Sequence, residues 1–206
     1  ITNAMFDDFD FFIEKVDTSN ADFYIAPGGT RKKFRMYPDT VFIKDADPEI
    51  YYTRYTARSG VLSDVIPEGY TPEILFSDTA AYRNPLKKYI ITFSWTASKK
   101  SDEFLSLYRI NKAENRWEFR DALRYWGAPG LVFNYADKKG NVGVIPAGII
   151  PVRGKKAIPE VPNPGWEAGY SWLGSKRAAL PDMFNPEKNF VFSANNKITD
   201  DFPLHL

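Results

Sequence analysis

Three carboxylates in four positions, Asp7-Asp8-Phe9-Asp10, and a pair of amides, Asn195-Asn196, are the groupings whose residue types and spacing suit chemistry. Calcium takes six to eight oxygen ligands from carboxylates and main-chain carbonyls, and a tight acidic loop supplies several at little entropic cost. The same acids suit the first turn of a helix running into Phe11-Phe12-Ile13, where negative charge complements the macrodipole. Spacing alone favours the helix start, and the EF-hand pattern is not met. The amide pair follows the apolar run Phe190-Val191-Phe192-Ser193-Ala194. At the end of a buried strand, such amides present neutral donors of the kind that build an oxyanion hole without histidine. An Asn-rich turn explains them as well, and composition alone favours the turn.

Much other chemistry is excluded. The chain has 206 residues, no cysteine and one histidine, so thiolate nucleophiles, disulfides and Cys-based zinc sites are absent. That histidine is His205, next to the last residue, which makes a Ser-His-Asp triad a poor expectation. A formal net charge of +1 lacks the basic excess expected of a nucleic-acid binder. The Arg31-Lys32-Lys33-Arg35 cluster around Phe34 reads as a solvated strand face. Gly148 and Gly154 are separated by five residues and followed by Lys155-Lys156, which fails the P-loop spacing. No run of 18 apolar residues suits a membrane-spanning helix. The first ten residues lack the basic and apolar regions of a secretory leader, and a start at Ile1 is expected of a processed or excised chain.

The elements that must position these groups alternate extended segments with turn punctuation. Strands are expected at 22–26, at two short stretches around Phe34-Met36 and Val41-Ile43 separated by Pro38-Asp39, at 50–56, at 89–96 and at 190–194. Phe104, Leu107 and Tyr108 at helical spacing after Ser101, and Phe119, Ala122, Leu123 and Trp126 before Gly127 and Pro129, predict a helix pair within 101–127. Apolar runs at 131–137 and 142–149 around Lys138-Lys139-Gly140-Asn141 predict a β-hairpin. The proline-rich stretch 151–164 is expected to be an ordered excursion without regular structure. The five tryptophans read as packing residues. The fold class expected is α+β, mainly antiparallel.

Taken in order, several segments resemble the β chain of the penicillin acylase (penicillin amidase) family. They are ITNAMFDDFDFFIE at 1–14, Ser94-Trp95-Thr96-Ala97, FNYADKKGNVG at 133–143, Gly148 with Pro151 and Arg153, Trp172-Leu173-Gly174 with Pro181, Asn185-Pro186, and Ser193-Ala194-Asn195-Asn196. The resemblance spans the whole chain. It implies an N-terminal-nucleophile hydrolase of αββα architecture, made as a precursor that cuts itself into α and β chains. In that family a Ser at the new N-terminus attacks an amide carbonyl, with its own α-amino group as base. An amine of pKa near ~8 accepts that proton without histidine.

Carried over residue by residue, the resemblance implies that Asn3 presents its backbone N–H, and Asn195 its side-chain amide, to the tetrahedral oxyanion. Each such donor contributes about 3–4 kcal/mol to the transition state. It implies a calcium site with Asp7 and Asp10 as carboxylate ligands and Phe9 and Pro159 as carbonyl ligands, which reverses the reading of the acidic cluster from spacing alone. Ile1, Met5, Trp95 and Leu131 fall where the family lines its acyl pocket. The nucleophilic Ser is not among these residues, Ile1 has no nucleophilic atom, and the family's last calcium Asp corresponds to Leu206. The chain is therefore expected to be an internal β-chain segment, 1–206, of a single incomplete domain, inactive alone. Its expected partners are the α chain and the rest of the β chain, with a small N-acyl amide as substrate, no nucleic acid and no membrane span. Penicillins, acyl-homoserine lactones and glutaryl-cephalosporin-like amides are all substrates within the family. A periplasmic or secreted location is the family expectation. A non-catalytic binding module on the same scaffold is the expectation from a different class.

Overall fold

The computed structural model describes residues 1–3, 7–64, 88–177 and 181–195. In chain order the strands are β1 (Thr2–Asn3), β2 (Phe9–Val16), β3 (Phe23–Ala26), β4 (Thr30–Lys33), β5 (Arg35–Val41), β6 (Glu49–Tyr55), β7 (Tyr89–Trp95), β8 (Leu131–Ala136), β9 (Val142–Ala147), β10 (Ile149–Arg153), β11 (Asn163–Pro164), β12 (Trp172–Arg177) and β13 (Met183–Phe184). Two helices, α1 (Glu103–Lys112) and α2 (Arg116–Ala122), lie between β7 and β8. The α+β expectation holds. The chain divides into two compact units. One comprises 1–9, 95–152 and 172–206; the other comprises 10–94 and 153–171.

In the first unit the sheet order is β1-β8-β9-β13, and every pairing is antiparallel. The hairpin β8–β9 forms where the turn sequence predicts it. Its closure is written in side chains: Asp137 accepts from the Lys139 and Asn141 amides at 2.8 and 3.1 Å, from Asn141 Nδ2 at 2.8 Å and from the Tyr135 hydroxyl at 2.8 Å. Gly140 takes φ 85 there, a conformation glycine adopts without steric cost.

The helix pair also forms, with a difference of face. Asp102, not Ser101, caps α1 by accepting from Leu105 N–H at 3.0 Å, and Asn115 caps α2. Phe104, Leu107 and Tyr108, the spacing that predicts the helix, lie exposed, whereas Ser106 is fully buried and donates to the Ala122 carbonyl at 3.0 Å. A small residue at the crossing lets the two backbones approach, which turns the bulky stripe outward. Ile110 and Phe119 still reach the core of Leu123, Trp126, Phe133, Ile145 and Ala147.

In the second unit β2 is central to the order β11-β2-β3-β4, with β7 also pairing to β2. Here the helix start expected at Asp7–Ile13 from spacing is corrected: residues 9–16 are a strand whose inward face carries Asp10, Phe12, Glu14 and Val16. The inward carboxylates are neutralised by arginines. Arg153 grips Asp10 through Nε at 2.8 Å and a second guanidinium nitrogen at 3.1 Å. Arg58 donates to Glu14 at 2.9 Å while its guanidinium lies 3.9 Å from the centroid of the Phe12 ring. Burial pushes the Glu14 carboxyl up, and Arg58 and the Thr92 hydroxyl only partly offset this. Among the described residues its Oε2 has no hydrogen-bond partner; it packs against Gly165, where an added Cβ would meet it at 2.0 Å.

Three more expectations change. Pro38-Asp39 does not separate two strands, because β5 runs through both and pairs with β6 from Arg35↔Tyr55 to Val41↔Glu49; proline is tolerated on such an edge strand. The 151–164 stretch contains the end of β10 and the short β11. Residues 190–194 form no strand: Phe190 and Phe192 are exposed, and their rings stack on each other instead.

Asp137 makes the hairpin sensitive to acid. The Asn141 side chain, chiefly, together with its other donors, lowers its carboxyl to about 2, from an ordinary value of 3.8. A depressed folded value adds stability above the ordinary one and loses it as pH falls through about 2. Asp137→Asn is expected to lower the melting temperature at pH 7 and to bring the two melting curves together between pH 4 and pH 2, measured by circular dichroism. A melting-temperature difference unchanged over that range would contradict the assignment.

Candidate functional site

The residues expected at the oxyanion site are both in the first unit. Asn3 ends β1 and is paired in register with Leu131 of β8; its neighbour Thr2 faces Val132, which is buried. Asn195 is exposed with φ 57, in the left-handed region where asparagine is enriched among non-glycine residues. It closes an irregular segment, so the composition-based turn reading describes its backbone, not a strand end. The link between the two stretches is a side-chain contact: the Thr2 and Ser193 hydroxyls are hydrogen-bonded across 191 residues of sequence. Thr2 is adjacent to Asn3, and Ser193 is two residues from Asn195, at most about 7 Å of extended chain. The fold thus brings both candidate donors to one neighbourhood. Asn196 lies outside the described residues.

Of the residues expected to line an acyl pocket, Leu131 is half-buried and stands opposite Asn3, Ile1 is 69% exposed and Trp95 is 38% exposed. Met5 lies outside the described residues, as do His205 and Leu206. Trp95 has a partner that the sequence reading did not anticipate. Its indole Nε1 donates to the Asp8 carboxylate at 3.0 Å, and the Asp8 carbonyl accepts from the Thr96 amide at 2.9 Å. Burial pushes the Asp8 carboxyl up, against the hydrogen bond from Trp95. Nothing in the local sequence marks this pair, whose members are 87 residues apart. A separate cleft of about 470 Å³ lies beside the helix pair, lined by Arg109, Lys112, Trp117 and Asp121 among others. None of the expected site residues lines it.

The four residues expected at a calcium site divide between the units, Asp7 and Phe9 in the first, Asp10 and Pro159 in the second. Pro159 sits in a turn braced by the buried Asn163, which accepts from Ile158 N–H and donates to Ile158 O, both at 2.9 Å. All four are oxygen donors, as calcium requires, and even with both carboxylates bidentate they reach only six oxygens, the lower end of its range. Both oxygens of Asp10 are already engaged by Arg153, a cation in competition with any metal there. Among the described residues, no three His, Cys, Asp or Glu side chains form a metal-holding group. The expected set, with two carboxylates, does not depend on such a group.

The alternating strands and the capped helix pair make an α+β architecture that is mainly antiparallel. The sequence matches the penicillin amidase family over residues 1–206, and the chain belongs to that family. Penicillin G acylase of Escherichia coli is 22% identical over 198 residues, 96% of this chain and 21% of its own length. The acyl-homoserine lactone acylase QuiP of Pseudomonas fluorescens (strain Pf0-1) is 27% identical over 199 residues, 96% of this chain and 22% of its own length. A solved structure of the thermostable penicillin G acylase from Alcaligenes faecalis superposes with a TM-score of 0.76 at 22% identity. The match covers 98% of this chain and 33% of that one, and shows the fold. The chain spans about a fifth of the length of the curated relatives it matches. Among the described residues no helix is long and apolar enough to cross a membrane.

If the Thr2–Ser193 contact holds the 190–195 segment to β1, Thr2→Val is expected to speed amide hydrogen exchange in 190–195 about tenfold, the loss of one net hydrogen bond, and leave β8–β9 protected. Mass-spectrometric exchange reads both, and equal acceleration in the hairpin would indicate general destabilisation instead.

Proposed function

We propose that this chain is part of a longer amidohydrolase that splits N-acyl amides into a carboxylic acid and an amine by acyl transfer through an ester. Membership of the penicillin amidase family supports this. The observation that carries the reading is the Thr2–Ser193 contact, which holds the stretch bearing Asn3 beside the one bearing Asn195.

In this reading the Asn3 backbone N–H and the Asn195 amide donate to the oxygen that becomes negative as the carbonyl turns tetrahedral. Such donors act chiefly in the transition state, where charge has developed, and so raise kcat more than they lower KM. The nucleophile and base are supplied from outside these 206 residues, by an N-terminal Ser and its α-amino group as the family implies. The polypeptide is a self-cleaving precursor, and its location is periplasmic or secreted. Two relatives bear on the acyl group. One is named for penicillin G, the other for acyl-homoserine lactones, and both names describe N-acyl amides. The acyl-homoserine lactone reading is the second choice, favoured by the higher identity of that relative.

Calcium is proposed as a structural ion held by Asp7, Asp10 and the carbonyls of Phe9 and Pro159. It would supply positive charge that fixes these chain segments. Arg153 on Asp10 and the short ligand set make its affinity low. Titration calorimetry on the 206-residue chain is expected to give no sub-micromolar binding, and a sub-micromolar Kd would contradict the assignment.

The purified 206-residue chain is expected to hydrolyse neither phenylacetyl nor fatty-acyl chromogenic amides, whereas the full-length polypeptide turns over at least one. In that full-length protein Asn195→Ala is expected to reduce kcat about 10²- to 10³-fold with KM little changed. Steady-state kinetics decide the matter: a variant with undiminished kcat removes Asn195 from the mechanism, and activity in the isolated chain refutes the external nucleophile.

A further inference from the structure

We propose that one face of the β5–β6 ribbon is an interaction surface, covered by an uncharged, apolar segment of the longer polypeptide from outside these 206 residues; this rests on the part of the reading above that makes the chain a portion of a larger protein. The ribbon is a two-stranded sheet of its own within the second unit. Its register sorts the side chains, because residues opposite each other share a face and successive ones alternate. Arg35, Tyr37 and Asp39 lie with Tyr55, Thr53 and Tyr51 on one face, and Met36, Pro38 and Thr40 lie with Arg54, Tyr52 and Ile50 on the other. Arg54, at the base of that second face, is engaged by Asp64 through two guanidinium nitrogens at 2.8 and 2.6 Å. The rest of the face is uncharged.

The two faces differ in what they need. On the charged one the rings are partnered: Tyr37 packs edge-on against Tyr55 at 5.0 Å, and the Tyr51 hydroxyl donates to Glu49. On the other, Met36 is 52%, Ile50 56% and Tyr52 59% exposed, and Phe42, just past the end of β5, is 82% exposed. A two-stranded sheet is at best marginally stable by itself in water, and an apolar face calls for a second layer. Pro38 has no N–H to offer a further strand, which sets the cover on the face rather than along the β5 edge. A face without a free cation gives no hold on nucleic acid or anionic lipid. At the ~150–250 Å² of a whole aromatic side chain, four residues exposed to this degree present roughly 500 Å², whereas separate proteins need about 800 Å² each for a stable interface. A second copy docked through this face alone would therefore be weakly held. A segment of the same polypeptide is under no such minimum, because its tether supplies a high effective concentration. Only 21% and 22% of the two curated relatives lie in the matched stretch, and a longer chain of this kind has ample sequence to supply the layer.

The test is hydroxyl-radical labelling of the full-length polypeptide, read residue by residue by mass spectrometry. Tyr51 and Tyr52 are neighbours on opposite faces, 54% and 59% exposed, so each ring is the other's control. Tyr52 is expected to label on the order of tenfold more slowly than Tyr51, with Met36 slowed alongside it, at every protein concentration. Ile50→Lys, which puts a charge into the covered face, is expected to bring Tyr52 labelling up to that of Tyr51, whereas Asp39→Lys on the opposite face leaves the ratio unchanged. The wild-type ratio decides the matter should Ile50→Lys fail to fold. Equal labelling of the two rings overturns the proposal, and so does protection of Tyr52 that fades on dilution, which assigns the face to a second copy. The two readings fail separately. A full-length polypeptide that hydrolyses N-acyl amides while labelling both rings alike loses only the covered face, and one inactive on every N-acyl amide with Tyr52 protected loses only the hydrolysis reading.

Discussion

Two carboxylates buried on one face of a single strand impose the strictest demand in this structure. Asp10 and Glu14 point inward from β2 with Phe12 between them, and an uncompensated charge there would cost several kcal/mol. Each acid therefore recruits a guanidinium from far along the chain. Arg153 comes from 143 residues away and Arg58 from 44. Each arginine brings its own segment: Arg153 ends β10, and Arg58 further donates to the Gly165 carbonyl and the Ser171 hydroxyl. The second unit is organised around these pairs as much as around the apolar cluster of Val16, Tyr24, Ala26, Phe34, Val61 and Ile90.

In the first unit the candidate chemistry depends on much lighter ties. A hydroxyl pair holds the two amide-bearing stretches, and the Trp95 indole donates to Asp8. Beside β1 in the same sheet lies the hairpin β8–β9, whose Leu131 stands opposite Asn3.

The parts of the fold legible in the sequence were those encoded locally. The hairpin followed from Lys138 to Asn141 between apolar runs, the helix pair from spacing and caps, and β7 from its β-branched and aromatic run. What was not legible depended on distant partners. Asp7, Asp8 and Asp10 read as a helix start because local rules place acids at N-termini, whereas Asp10 sits inside a strand with Arg153, 143 residues away, as an ion-pair partner. The outward stripe of α1 was misjudged because Ser106, with no hydrophobic signal, is the residue that sets the crossing. The apolar 190–194 run read as a strand, yet its two phenylalanines satisfy each other by stacking. The candidate site itself was legible through ordered resemblance, since neither Asn3 nor Asn195 has a local pattern that distinguishes it from a turn residue.

Glu14 and Gly165 are joined in a way that constrains how this chain can diverge. The orphan oxygen of Glu14 occupies the space a side chain at 165 would need, and Arg58 binds both residues at once. Neither position can drift alone: a larger residue at 165 must arrive with a shorter one at 14, and a shorter acid must still reach Arg58. Sequences that have lost the pair should therefore have lost it together, in a single correlated step that also releases Arg58.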